Sequence, residues 1–439
     1  MQIVDKGGDI MEITLIMLGF FFFQILIGLP LFVAMIFTTL VGFFQLEQLF
    51  LINNIPAQFF GGMDVFSLMA IPFFVFAGDL MNKSGLTDSL LDLSSELVGR
   101  VRGGLGHINV LVSILFAGVN GSAAADSSAI GSLLIPAMDK EGYPRPYAAG
   151  ITAGSSLIGP IIPPSIFMVL YGSMTGTSIG GLFIAGIIPG VLLGVAFMAM
   201  NYYYAKKYNF PYREEKTSFK KIMKAFFKAL HALIGPLIII GGIVGGVATP
   251  TESGAIAVLY IFLVGVFITK KLDLEKFKNA VIETTKATSA IYIIIGAAMA
   301  ISWILKWEQV PQKMSNALLG FTDSSIVLML ILSMITFIIG MFMEEVATLT
   351  LLTPIFTPIA IASGIDPFQF GIVIVLNITI ALITPPMGAC VYIVSSVGNV
   401  ELEKLFKNIW PFVLVALTVL LLLIFFPIFT TALPSLSGF

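Results

Sequence analysis

Apolar runs of roughly twenty residues or more follow one another along nearly the whole chain, at about 13–44, 65–81, 105–135, 147–180, 182–204, 231–247, 252–269, 287–306, 325–362, 367–396 and 410–432. A helix needs about 20 such residues to cross a bilayer, and lipid offers no partner to a backbone N–H or C=O group. The 439 residues are 57% hydrophobic and only 11% charged, whereas a soluble domain is about a quarter charged. The chain therefore reads as an all-α polytopic membrane protein without a sizeable soluble domain. The first run would make about 48 Å of helix at ~1.5 Å per residue, too long for one straight crossing. Pro30, just after Gly28, either splits it into two helices or bends one.

Charge is informative in its distribution. Of 23 basic residues, eight lie between Lys206 and Lys228 and five between Lys270 and Lys286. Both segments belong on the cytoplasmic side, and the apolar stretch between them suffices for two crossings that return the chain there. Residues 218–230 and 273–286 space lysines among apolar residues at helical intervals and read as helices lying at the cytoplasmic interface; solvated loops with snorkelling lysines are the alternative. Residues 81–84, 92–102 and 140–141 read as solvated loops, and Trp303, Trp307 and Trp410 as interfacial anchors. The N-terminal MQIVDKGGDI does not read as a signal peptide; an alternative start or an added extension before Met11 is one account of it. One cysteine, Cys390, excludes an internal disulfide, and His107 and His231 are the only histidines. No H-E-x-x-H or phosphate-loop pattern occurs, so an ion gradient or another chain must supply energy.

An internal repeat constrains the architecture further. At a constant offset of 222, Gly118 pairs with Gly340, Ala125 with Ala347, Pro136 with Pro358, Gly142 with Gly364, Pro163 and Pro164 with Pro385 and Pro386, and Ser173 with Ser395. The columns from 118 to 173 hold ten identities, five of them Gly or Pro. In the first copy, residues 105–140 carry Asn120, Ser122, Asp126, Ser127 and Ser128 in mid-run. A charge at membrane depth costs at least ~2.5 kcal/mol, so a lipid-facing span would not accept them. A helix-turn-helix hairpin with its polar tip buried in protein would. The second copy, 326–362, places Glu344, Glu345, Thr348 and Thr350 at the equivalent tip. Each hairpin precedes a span broken at Pro-Pro, in 147–180 and 367–396. Paired prolines remove two amide donors and free nearby carbonyls, which bind cations. Five crossings separate the hairpins, and an odd number inverts the second half relative to the first. About nine to eleven transmembrane helices plus two re-entrant hairpins are expected.

Two other function classes fit poorly. A channel needs a continuous polar pore, but the polar residues gather at two discrete tips. An intramembrane enzyme needs a nucleophile-base or metal constellation, and both histidines lie away from the tips.

The residues themselves resemble a known family. AIPFFVFAGDLMNKSG at 70–85, VRGGLGHINVLVSILFAGVNGSAAADSSAIGSLLIPAM at 101–138, AAGITAGSSLIGPIIPPSIFMVLYG at 148–172, LFIAGIIPG at 182–190 and GGVATPTESGAIAVLY at 245–260 are similar to the large membrane subunit of tripartite ATP-independent periplasmic (TRAP) transporters. The resemblance implies a multi-pass inner-membrane, sodium-driven symporter of organic acid anions working by an elevator motion. It implies two partners, a small four-helix membrane subunit and a soluble periplasmic substrate-binding protein; no nucleic acid is expected. Residues 1–104, 181–325 and 401–439 then form scaffold and C-terminal arm, and 105–180 and 326–400 the transport part. The Ala-Asp form of the first tip resembles the sugar-acid branch, so sialic acid is the first substrate expectation and a C4-dicarboxylate the second.

Two sodium ions are implied as cofactors. The resemblance puts one at Ala117, Asn120, Gly159, Ile162 and Pro164, mostly through backbone carbonyls, and pseudo-symmetry puts the other at Ile339, Gly340, Ala381, Thr384 and Pro386 with Met387 adjacent. The anion is expected between the tips, where half-helix N-termini project partial positive charge. Ser122, Ser127, Ser128, Ser155, Ser156 and Ser165 are candidate hydroxyl donors. Asp126 repels an anion unless sodium, a proton, or a substrate hydroxyl or amine compensates; the alternative is a cap on the following helix. Glu345, counted with the substrate site, and Glu344 read either as ion- or proton-linked groups or as a solvated tip. Glu252 is expected to order a helix start.

Overall fold

The computed structural model describes residues 7–46, 49–212 and 218–439; the sequence before Gly7 lies outside them. Among the described residues there are twenty α-helices and no strands. In chain order they are α1 (Gly7–Leu26), α2 (Leu31–Gln45), α3 (Ile55–Met63), α4 (Ala70–Lys83), α5 (Leu86–Val98), α6 (Gly104–Asn120), α7 (Ala123–Lys140), α8 (Arg145–Ser156), α9 (Ile166–Thr175), α10 (Ile179–Lys207), α11 (Phe219–Val244), α12 (Pro250–Leu263), α13 (Leu274–Trp307), α14 (Val310–Phe321), α15 (Ser325–Gly340), α16 (Glu345–Ala362), α17 (Pro367–Ala381), α18 (Ala389–Gly398), α19 (Leu402–Phe425) and α20 (Ile428–Leu436). Six are long and apolar enough to cross a bilayer singly: α10, α11, α12 with its extension to Ile268, α13, α16 and α19. Leu49–Met63 with Phe66–Lys83 makes a further candidate as a pair bent by 55°.

The first apolar run is split rather than bent. Gly28 takes a left-handed φ of +84° and Pro30 begins the next helix, a stop and start that ordinary residues do not provide. Two expectations need correction. The basic segments are not separate interfacial helices: 219–230 and 274–286 continue unbroken into the apolar parts of α11 and α13. No Gly or Pro intervenes before Gly235 in the first or Gly296 in the second, so the intrahelical ladder has no reason to end there. Residues 81–84 are not a solvated loop either. α4 runs through Lys83, whose ammonium pairs with Asp79 one turn back, and Met81 and Ser84 are fully buried. Likewise α5 extends to Val98.

The helix ends follow the offset seen in the sequence. At the offset of 222, α7 and α16 begin and end at corresponding residues, and α6, α8 and α9 correspond to α15, α17 and α18 within a few residues. Pro163-Pro164 and Pro385-Pro386 are both cis, and Gly142 and Gly364 both take a positive φ.

Helix α10 shows how the two quartets are oriented. Near its C-terminal end, Tyr147 at the start of α8 stacks 5.5 Å from Tyr204 and donates to Asn201 Oδ1 at 2.9 Å. At mid-length, Gly186 and Gly190 face Ile161 and Ile162 of the first proline break. At its N-terminal end, Gly181 lies under Phe368 at the start of α17. So α8 and α17 enter from opposite ends of α10. The hairpins follow suit: α6 begins beside Asn201, which donates to Gly103 O at 3.0 Å, and Tyr143, just past α7, packs 4.5 Å from Phe210. The outer ends of α15 and α16 are joined by Ser325 Oγ donating to Ser363 O at 2.7 Å, next to the start of α17. The quartets also exchange arms, with α9 packing on α16 and α17, and α18 on α7 and α8. Outside them, α11 packs on α5 and α12, α12 on α4, and α13 on α2, α3 and α4, and this group rests on the quartets through α5 on α6 and α13 on α16.

Asn201 is fully buried and holds α6, α8 and α10 together. Asn201→Ala strands the Tyr147 hydroxyl in an apolar site, at about 1–3 kcal/mol, whereas the Gly103 carbonyl keeps the amides of Gly106 and His107. The expected outcome is a lowered unfolding temperature of the purified protein, with Tyr147→Phe recovering part of the loss in the double variant.

Candidate functional site

Each proline break is a stretch of backbone that the helix ladder no longer serves. Between α8 and α9 the carbonyls of Gly159, Ile162 and Pro164 accept no hydrogen bond among the described residues. Ser165 closes the break: its hydroxyl donates to Pro160 O at 2.5 Å and accepts from Met168 N at 3.3 Å as the N-cap of α9. The first hairpin tip lies directly on this segment. Gly121, at φ +58°, comes so near that a Cβ there would meet Pro164 O at 2.7 Å, and Gly159 faces Ser122. Ala117 is buried in the last turn of α6, its carbonyl accepting from Gly121 N at 3.3 Å. The side chain of Asn120 lies outside the described residues. The structure thus gathers the backbone of the first expected ion site, 117–121 against 159–165.

The second break is built alike but is better satisfied. Met387 N donates to Met341 O at 3.2 Å, tying hairpin tip to break, and Tyr392 Oη donates to Pro386 O at 3.3 Å. The carbonyls of Ile339 and Ala381 accept from Phe342 and Thr384 amides. Gly340 packs so closely on α17 that its Cβ would meet Ala381 Cβ at 3.0 Å. Among the described residues, the Gly340 and Thr384 carbonyls accept nothing; the Thr384 hydroxyl is spent on Ile380 O at 2.8 Å. Met387 is half-exposed.

The polar side chains at the first tip sort into two groups. Ser122 caps α7, accepting from Ala125 N at 3.4 Å, as Glu344 at the equivalent position caps α16 from Ala347 N at 3.1 Å. The cap reading of Asp126 is therefore overturned: Asp126 is 2% exposed, and neither carboxylate oxygen makes a hydrogen bond. Ser127 and Ser156 are buried and share a 2.8 Å hydrogen bond. Ser128 is exposed on the other side of α7. Ser155 is engaged with Asn109 Oδ1 at 2.9 Å and Ser113 at 3.1 Å, while Asn109 donates to Thr152 at 2.7 Å. At the second tip Glu345 is 8% exposed with Oε2 unpaired. Glu252 completes a capping box with Thr249 at the exposed start of α12, as expected of a helix start.

Sequence reading missed the Asn109–Thr152–Ser155–Ser113 ladder and Cys390. The first had a signal, since Asn109 and Ser113 stand four apart, as one helix face requires. The second had none. Cys390, in the first turn of α18, lies against Ser127 and Ser156 of the first half and within electrostatic reach of Asp126 and Glu345. It marks where the two tips converge. A separate cavity of about 120 Å³ between α1, α2 and α13–α16 is lined almost wholly by apolar side chains, Phe21, Ile339 and Phe356 among them, and offers a polar solute nothing.

Gly121→Ala forces a left-handed alanine, at roughly 1–2 kcal/mol, and drives its Cβ into Pro164 O. Gly142→Ala carries the same strain at φ +89° with open space around it. The unfolding temperature is expected to fall distinctly further for Gly121→Ala.

Residues 18–429 match the family described as tripartite ATP-independent periplasmic transporter, DctM component. The chain is 39% identical over 93% of its length to the sialic acid TRAP transporter large permease protein SiaM of Vibrio cholerae, covering 95% of that protein. It is 36% identical to the 2,3-diketo-L-gulonate TRAP transporter large permease YiaN of Escherichia coli, over 94% of this chain and 97% of that one. It is also 36% identical to the C4-dicarboxylate TRAP transporter large permease DctM of Pseudomonas aeruginosa, over 88% and 90%. Among solved structures it is similar in fold to the Alcanivorax borkumensis YdaH transporter, with a TM-score of 0.63 at 14% identity, over 86% and 88% of the chains.

Proposed function

The chain belongs to the DctM component family of tripartite ATP-independent periplasmic transporters, a multi-pass inner-membrane transporter and not an enzyme, and on that premise we propose that it imports a sugar-acid anion, sialic acid first, driven by sodium. The observation that carries this reading is the pair of proline breaks. Each offers unpaired carbonyls beside a hairpin tip, and hard monovalent cations are held by just such neutral oxygens, as other hard cations are. Ala117, Asn120, Gly159, Ile162 and Pro164 surround one ion, and Ile339, Gly340, Ala381, Thr384 and Pro386 the other.

The organic anion binds between the tips, at the N-terminal ends of α7 and α16, where the helix dipoles favour negative charge. Ser127 is the donor there, turning its hydroxyl from Ser156 to the solute; Ser155, Ser156 and Ser165 are committed to the framework. Hydroxyl-rich solutes suit a pocket whose charged groups are carboxylates, and the similarity to SiaM and YiaN leads in the same direction. The two hairpins are re-entrant, opening from opposite faces, so one central site is served from either side. The interlocked quartets move as one body against the frame of α2–α5 and α11–α13, which gives elevator alternation. A small membrane subunit supports that frame, and a periplasmic binding protein delivers the solute.

The test is uptake by proteoliposomes holding this chain, its small subunit and a cognate binding protein. Sialic acid accumulation is expected under an inward sodium gradient and not with potassium in its place; accumulation indifferent to sodium rejects the coupling, and competition by succinate instead of sialic acid shifts the substrate to C4-dicarboxylates. Within the same assay Ser127→Ala is expected to lower uptake about tenfold, the scale of one hydrogen bond to a charged group at roughly 1.5 kcal/mol. Ser128→Ala, on the outer side of α7, is expected to leave it within twofold.

A further inference from the structure

The helical segments around the two tips and breaks carry negative charge and no basic side chain to balance it. Residues 108–138, 146–205 and 314–403 contain no Lys, Arg or His, although the proposed solute is an anion. Within them Asp126 and Glu345 are 2% and 8% exposed, with both Asp126 oxygens and Glu345 Oε2 unbonded. An unpaired carboxylate at membrane depth is strongly disfavoured. The groups that face Asp126 do not relieve it. α6 brings the Ser113 hydroxyl, the tip of α7 and the end of α8 bring the Ser127–Ser156 pair, α18 brings the Cys390 thiol, and Glu345 of α16 stands beyond that thiol with a second negative charge.

The count is then simple. Two sodium ions at the breaks balance the two buried carboxylates and leave the solute's own charge uncompensated. We infer that Asp126 binds a monovalent cation of its own, apart from the two at the proline breaks, so that each organic anion travels with at least three. Among the described residues no three acidic, Cys or His side chains gather, and one carboxylate beside one hydroxyl balances a single positive charge, so the cation is sodium, held by the Asp126 carboxylate and the Ser113 hydroxyl, or a proton on that carboxylate. Repeat symmetry does not produce this site: the position equivalent to Asp126 is Thr348, which turns its hydroxyl back to Glu344 O at 2.9 Å. The third cation therefore belongs to the first half alone.

This inference rests on sodium-coupled import, and its test separates the two. In proteoliposomes of the full complex, the imposed membrane potential at which net solute flux reverses gives the charge moved per solute. Asp126→Asn is expected to reduce the cations moved with each anion by one, while wild-type uptake stays sodium-dependent. A reversal potential unchanged in Asp126→Asn overturns the third site without touching the sodium reading; sodium-independent wild-type uptake overturns that reading instead. Should Asp126→Asn not transport, sialic acid affinity of the purified complex serves. Its dependence on sodium concentration at fixed pH, or on pH at fixed sodium, is expected to lose one cation's slope relative to wild type, the first identifying sodium and the second a proton. Unchanged slopes in both series overturn the proposal.

Discussion

At two proline breaks among the packed apolar helices the backbone is denied its own hydrogen bonds, and the rest of the protein is arranged to make that tolerable. Two prolines in succession remove donors that the preceding carbonyls would use, and lipid replaces neither. Exposed to hydrocarbon, such a segment would be prohibitively costly. Here it is covered on one side by a hairpin tip and on another by the glycines of α10, where Gly186 and Gly190 admit Ile161 and Ile162. Close approach by backbone alone, without side chains between, keeps these unsatisfied carbonyls inside the protein and away from lipid.

The two halves use this device unequally. The first break leaves the carbonyls of Gly159, Ile162 and Pro164 open, with others beside them, and is backed by the Asn109, Ser113, Thr152 and Ser155 ladder. The second is drawn closed by Met387 on Met341 and Tyr392 on Pro386. Buried polar networks fix geometry only when their members are satisfied, and the ladder is, which leaves Asp126 beside it as the conspicuous unsatisfied group. Similar helices thus support a first half with an open break beside a polar ladder and a second half whose break is more closely tied.

Much of this was legible in the sequence, because the features that fix backbone paths are local. Pro-Pro pairs, the tip residues and the 222-residue register each announce themselves by residue type and spacing, and helix ends fell at matching positions in both copies. What was not legible depends on contacts between distant segments. Ser128 and Ser127 are neighbours in sequence, yet only the packing of α8 decides that Ser127 turns inward to Ser156. Polarity alone suggested a solvated loop at 81–84, but Leu80 and Met81 are enclosed by α5 and α12. Lysine spacing suggested detached amphipathic helices at the two basic segments. A helix can be amphipathic in its first turns and uniformly apolar beyond, and nothing in α11 or α13 obliges it to stop between.

The exchange of arms has a mechanical meaning. α9 finishes its own half's broken span, yet it buries its surface on α16 and α17 of the other half, and α18 returns the arrangement on α7 and α8. A single copy of the repeat lacks the surface its last helix packs against. The two quartets are therefore mechanically inseparable, since neither can be drawn away without uncovering the last helix of the other.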